Sequence, residues 1–194
     1  LTPSVSRYLE STNTRRRIWG ARAHWTITGD PKVALPILIE GLQSNLAHVA
    51  AEGLGEMGPD ALAAADKFEA LFVPRSATVH PEYAFALWQI TGDPNDVLSR
   101  LKQLLNQTDP FNALQVLPFP HRQRALTMLY KMGPAAAPLL PDILSLIANP
   151  YSANGDKELA IRAVQRIDPP STNRIAPGIL KEFLPRIERH PLFE

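Results

Sequence analysis

The chain has 194 residues, 45% apolar and 20% charged, with a formal net charge of +1. That composition argues against global disorder, and the charge demands neither nucleic acid nor an anionic membrane as partner. The absence of cysteine excludes disulfides and thiolate sites, and no apolar run approaches the roughly 20 residues needed to span a bilayer.

Residues 1–13 read as an N-terminal remnant or a capping segment. The chain opens at Leu1 without a methionine or a charged-then-apolar leader, so it reads as a processed or excised piece. The compartment is not legible: the cytoplasm, or the periplasm if a signal peptide has been removed, both fit.

From Thr14 onward a punctuation mark recurs: an apolar residue, then Gly or Asp, then Pro. It stands at Ile27-Thr28-Gly29-Asp30-Pro31, Met57-Gly58-Pro59, Ile90-Thr91-Gly92-Asp93-Pro94, Met132-Gly133-Pro134 and Ile167-Asp168-Pro169. The anchors Ile27, Met57, Ile90, Met132 and Ile167 are about 30, 33, 42 and 35 residues apart, the period of helical repeats. Glycine can end one helix in the left-handed conformation, Asp can cap the next, and Pro suits its first turn. This placement accounts for many of the 19 prolines.

Before each anchor the spacing predicts a first helix. Six residues back stand Ala21, Ala51, Ala84, Leu126 and Ile161; three back stand His24, Leu54, Leu87, Leu129 and Val164. This is one buried helix face, from which His24 departs. Four back stand Ala23, Gly53, Ala86, Met128 and Ala163, mostly small residues that let helix axes approach. After each anchor a second helix is expected. Its lining is Leu35, Leu38, Ile39 and Leu42, then Leu62, Phe68, Leu71 and Phe72, then Val97, Leu101, Leu104 and Leu105. Leu140, Ile143, Leu144 and Ile147 line the fourth, and Ile179, Leu180, Phe183, Leu184 and Ile187 the fifth. The expected units are 14–44, 45–73, 80–106, 119–149 and 155–190, within a repeat region 14–194. Residues 73–78, 107–120 and 149–155 are the long connectors. No stretch alternates like a strand.

Ala50-Ala51-Glu52-Gly53-Leu54-Gly55-Glu56-Met57-Gly58-Pro59 resembles the first-helix signature of bacterial HEAT repeats, including the phycobilisome-lyase-like subgroup. Met132-Gly133-Pro134-Ala135-Ala136-Ala137-Pro138-Leu139-Leu140-Pro141 is similar to the turn and second helix of that family. The resemblance implies an all-α, right-handed α-α superhelix (a HEAT/armadillo-like solenoid) of about five antiparallel helix pairs. It also implies first helices on the convex side and second helices lining the concave side. The family spans scaffolds, inhibitors, lyases and a few enzymes.

Chemistry-bearing clusters are few. His48, Glu52 and Glu56 recur every four residues on one helix face and could hold zinc or iron, but read better as a solvated face. HEAT proteins of the deoxyhypusine hydroxylase type carry repeated His-Glu dipeptides. Here Trp25, Val49, Pro81, Arg122 and Pro191 follow the histidines. No Gly-x-Ser-x-Gly elbow or phosphate loop is present. No catalytic residue, metal or cofactor is therefore expected. Arg15, Arg16, Arg17 and Arg22 form a basic cluster, and cations enrich the last third, but the acidic middle breaks any continuous track for a duplex. Trp88 reads as core, while Trp19 and Trp25 belong to a first unit whose upstream face needs a cover.

The expectation is a non-catalytic scaffold or accessory binding module, part of a larger bacterial protein, holding another protein or peptide on its concave face. Glu40, Lys67, Lys102, Asp142 and Lys181 are the expected contact positions, as polar residues among the second-helix apolar rows. The alternatives are an enzyme or enzyme-attached regulatory domain of the lyase-like kind, and a nucleic-acid-binding HEAT-like protein. The oligomeric state is not legible.

Overall fold

Every regular element that the computed structural model describes, over residues 3–72, 81–106 and 120–189, is helical. The chain divides between Asp93 and Pro94 into two compact units. The first holds α1 (Pro3–Leu9), α2 (Thr14–Thr28), α3 (Pro31–Gly41), α4 (Ala47–Met57), α5 (Ala65–Leu71) and α6 (Pro81–Thr91). The second holds α7 (Pro94–Leu105), α8 (Pro120–Met132), α9 (Leu140–Ala148), α10 (Asn154–Ile167) and α11 (Pro177–Arg189). Short 3-10 turns, Gly58–Ala64, Gly133–Leu139 and Pro169–Arg174, lead into α5, α9 and α11. No described helix is long and apolar enough to cross a membrane.

The punctuation marks act as local chemistry requires. Gly29, Gly58, Gly92 and Gly133 all take positive φ, the conformation that ends a helix without a Cβ clash. Ile27–Pro31 and Ile90–Pro94 build the same turn twice. Gly29 N–H donates to the Trp25 carbonyl, and Gly92 N–H to that of Trp88, both at 2.8 Å. The Thr28 and Thr91 hydroxyls donate to the carbonyls of His24 and Leu87, and accept from the N–H groups of Asp30 and Asp93. Asp30 then caps α3 by accepting from Lys32 N–H at 3.0 Å. The fifth mark differs: Asp168 accepts the Ser171 hydroxyl and makes no side-chain bond to a helix N–H.

In the first unit α2 packs on α1, α3 and α4, and α4 packs on α6 and on the turn Gly58–Ala64. In the second, α8 packs on α7 and α10, and α10 on α9 and α11. The residues six before each anchor, Ala21, Ala51, Ala84, Leu126 and Ile161, are all fully buried. His24 is buried as well, so it follows the stripe it was expected to leave. Its ring nitrogen lies 3.2 Å from the Thr28 hydroxyl, which satisfies the polar atom inside the helix packing.

Two expectations of burial fail. Ile27 is 57% exposed, whereas the other four anchors are buried. The short α1 meets α2 near Gly20, where an added Cβ would lie 2.9 Å from that of Tyr8, and no described residue covers Ile27 at the end of α2. Leu62 is also exposed, at 60%. It falls in a 3-10 turn, whose period of about three turns Ala61 and Ala64 inward instead. The connector expected at 149–155 is shorter than expected, because α10 already begins at Asn154. Residues 73–78 and most of 107–120 lie outside the described residues.

Candidate binding surface

One face of α2 combines exposed apolar side chains with a groove. Trp19 is 49% exposed and Ile27 more so. With Arg22, Ala23, Thr26 and Glu56 they line a groove of about 380 Å³. Arg22 forms one wall. Its guanidinium stands 5.0 Å from the Trp19 ring centroid, donates to both Glu56 carboxylate oxygens, and donates to Glu52 at 3.0 Å. The face shared by Glu52 and Glu56 thus grips a cation from α2 as well as meeting solvent, while His48 is exposed one turn away. Among the described residues no group of three or more His, Asp or Glu is placed to hold a metal ion.

The basic cluster is partly spent. Arg17 makes a two-pronged pair with Glu40, at 3.0 and 2.9 Å, and Arg22 is held by two carboxylates. Arg15 and Arg16 are exposed, and the first turn of α2 has no acidic residue.

Of the five expected contact positions, the structure brings two together. Lys102 on α7 pairs with Asp142 on α9 at 3.3 Å, and Asn106 donates to Asp142 at 3.4 Å. Asn106 and Asp142, but not Lys102, line a polar pocket of about 170 Å³ with Leu105, Arg122, Ser145, Leu146, Asn149 and Ser152. That volume is below the range of about 300–1,000 Å³ usual for drug-sized ligands. Glu40 is committed to Arg17, and Lys67 and Lys181 are exposed on α5 and α11 without joining either site.

Trp88 is half-buried with its ring centroid 5.4 Å from that of Phe85, and Trp25 is partly buried against the core. Among the ion pairs not foreseen from the sequence are Arg22 with Glu56 and Arg122 with Asp156. Each spans 34 residues, one repeat step, and that period was the available signal.

No family model, curated protein or solved structure matches the chain.

Proposed function

We propose that the chain is a non-catalytic protein–protein interaction module, a scaffold or accessory part of a larger bacterial protein, built as a HEAT/armadillo-like right-handed solenoid. The observation that carries this reading is the α2 face, where Trp19 and Ile27 stay exposed beside a groove. Tryptophan is enriched at interaction hot spots, and apolar side chains gathered at one place mark interaction sites. The succession of first helix on first helix, α2 on α4 on α6 and separately α8 on α10, supports the solenoid. Glu40, Lys67, Lys102, Asp142 and Lys181 remain the proposed polar contacts of the concave side. The internal pairing of Arg17 and Arg22 counts against a nucleic-acid track.

The test is capture from the native extract by the immobilised chain, followed by binding of the purified partner at two salt concentrations. A protein partner with a shallow salt dependence is expected. Enrichment of nucleic acid, with affinity falling about 10³-fold or more between 50 and 200 mM salt, would replace the proposal.

A further inference from the structure

We infer that the ridge Arg15–Trp19–Ala23–Ile27 of α2 is the docking face for an acidic amphipathic helix of a partner protein. This rests on the interaction-module reading and names the chemistry of the partner. Residues four apart on a helix stand one above the other and form a ridge. Such a ridge, with large apolar members, suits helix-in-groove recognition.

The chain itself shows what the ridge lacks. The residue four before the anchor and the anchor itself are both buried in α4 (Gly53, Met57), α6 (Ala86, Ile90) and α10 (Ala163, Ile167). In α8 Met128 is half-buried while the anchor Met132 is buried; in α2 Ala23 is half-buried too, and the anchor Ile27 is exposed, which sets this helix apart. The comparison with α6 is controlled, because Ile27–Pro31 and Ile90–Pro94 share one sequence and one turn geometry. The matching side of α6 is covered by a helix: Gly55 of α4 stands so close that an added Cβ would lie 3.0 Å from the Ala86 Cα. That covering segment is amphipathic. It buries Ala50, Ala51, Leu54 and Met57 and exposes Glu52, Glu56 and Asp60.

Charge selects the occupant. Arg17 and Arg22 are neutralised by Glu40, Glu52 and Glu56, while Arg15 and Arg16 are exposed, with no ion pair among the described residues. They stand in the first turn of α2, where the helix dipole adds to their positive potential. An incoming helix therefore gains from carboxylates over Arg15 and Arg16, and from an uncharged stretch beside Glu56. End-to-end stacking of copies is disfavoured, since α10 and α11 show no exposed large apolar side chain among the described residues.

The experiment is fluorescence anisotropy of the full chain with a stapled helical peptide. The peptide carries a Leu/Ala stripe and glutamates at one end, and its twin has lysines in their place. The acidic peptide is expected to bind about tenfold tighter or more, and Trp19→Ala and Ile27→Glu each to weaken it about tenfold. The double variant Arg15→Glu/Arg16→Glu should reverse the preference. Circular dichroism checks that each variant is folded. Equal binding of the twins, binding of neither, or indifference to Ile27→Glu would overturn the inference. So would a dimer in sedimentation equilibrium that Ile27→Glu abolishes, which would give the face to a second copy. If the peptides fail while a captured protein still binds the Ile27→Glu variant, this inference falls and the module reading stands; if no protein binds, both fall.

Discussion

Arg122 and Asp156 meet 3.2 Å apart, with side chains 4% and 0% exposed, and join the first turn of α8 to that of α10. Arg122 Nε–H also donates to the Leu105 carbonyl near the end of α7, so one guanidinium ties three helices. Asp156 sits in a first turn, the helix end that favours an anion, and the Arg122 guanidinium reaches the terminal carbonyl of α7, although Arg122 itself stems from the first turn of α8.

Removing the cation alone should be costly. Arg122→Met leaves a carboxylate buried without its counter-charge, and about 3–5 kcal/mol of stability should be lost. The double variant Arg122→Met/Asp156→Leu should recover most of that loss, because no charge stays buried. Urea unfolding of the wild type and both variants measures this; a double variant as unstable as the single one would show that packing, not charge, sets the cost.

Acidification should separate the wild type from Asp156→Asn. Burial raises the Asp156 carboxyl above its ordinary value, and the hydrogen bond and charge of Arg122 only partly offset it. With the folded value above the unfolded one, the native state takes up the proton first as pH falls. The contribution of this group to stability therefore rises between the raised folded value and the ordinary unfolded value, and the penalty returns toward neutral pH. Urea midpoints followed from pH 7 downward should show a wild-type gain relative to Asp156→Asn; parallel curves would refute it.

Two glycine substitutions should act in opposite directions. At Gly55 an added Cβ would lie 3.0 and 3.1 Å from the Cα and Cβ of Ala86, so α4 and α6 must separate. Gly55→Ala should cost about 1–3 kcal/mol. At Gly178, in the first turn of α11, nothing lies within 4 Å of an added Cβ. Gly178→Ala should stabilise by about 0.4–1 kcal/mol through the unfolded chain. Thermal unfolding of the two variants decides the matter.

Arg22 should matter more for its stem than for its charge. An added Cβ on Gly53 would meet the Arg22 Cγ at 2.8 Å, so the aliphatic chain fills the space between α2 and α4. Its carboxylate partners are largely exposed. Glu56→Gln should therefore cost under about 1 kcal/mol. Arg22→Ala should cost about 1–3 kcal/mol, and Arg22→Met should restore much of it. A larger loss in Glu56→Gln than in Arg22→Ala would reverse this ranking.

Much of the helical organisation was legible because its signals are local. Gly58 and Gly133 could be read as helix ends, since a residue at positive φ, which only the lack of a Cβ makes easy, is what ends a helix there. The all-buried row Ala21, Ala51, Ala84, Leu126 and Ile161 was legible because one helix face repeats with the turn. Leu62 was misread because an α period was applied to a stretch that winds as a 3-10 turn, and the two periods diverge within a few residues. Of the binding surface, Trp19 was singled out, but the grip of Glu52 and Glu56 on Arg22 was not, since a salt bridge 34 residues long depends on two helices arriving side by side.

Ile27 and Ile90 mark the division most plainly. Their shared pentapeptide, Ile-Thr-Gly-Asp-Pro, determined by itself the same turn in both places, because the threonine hydroxyl, the glycine N–H and the aspartate N–H find their partners within a few residues. Only the tertiary structure decided that one isoleucine is 1% exposed and the other 57%. Burial depends on what packs against the far side of a helix. The residues that do so for Ile90 come from another helix, and none of them is encoded in the turn.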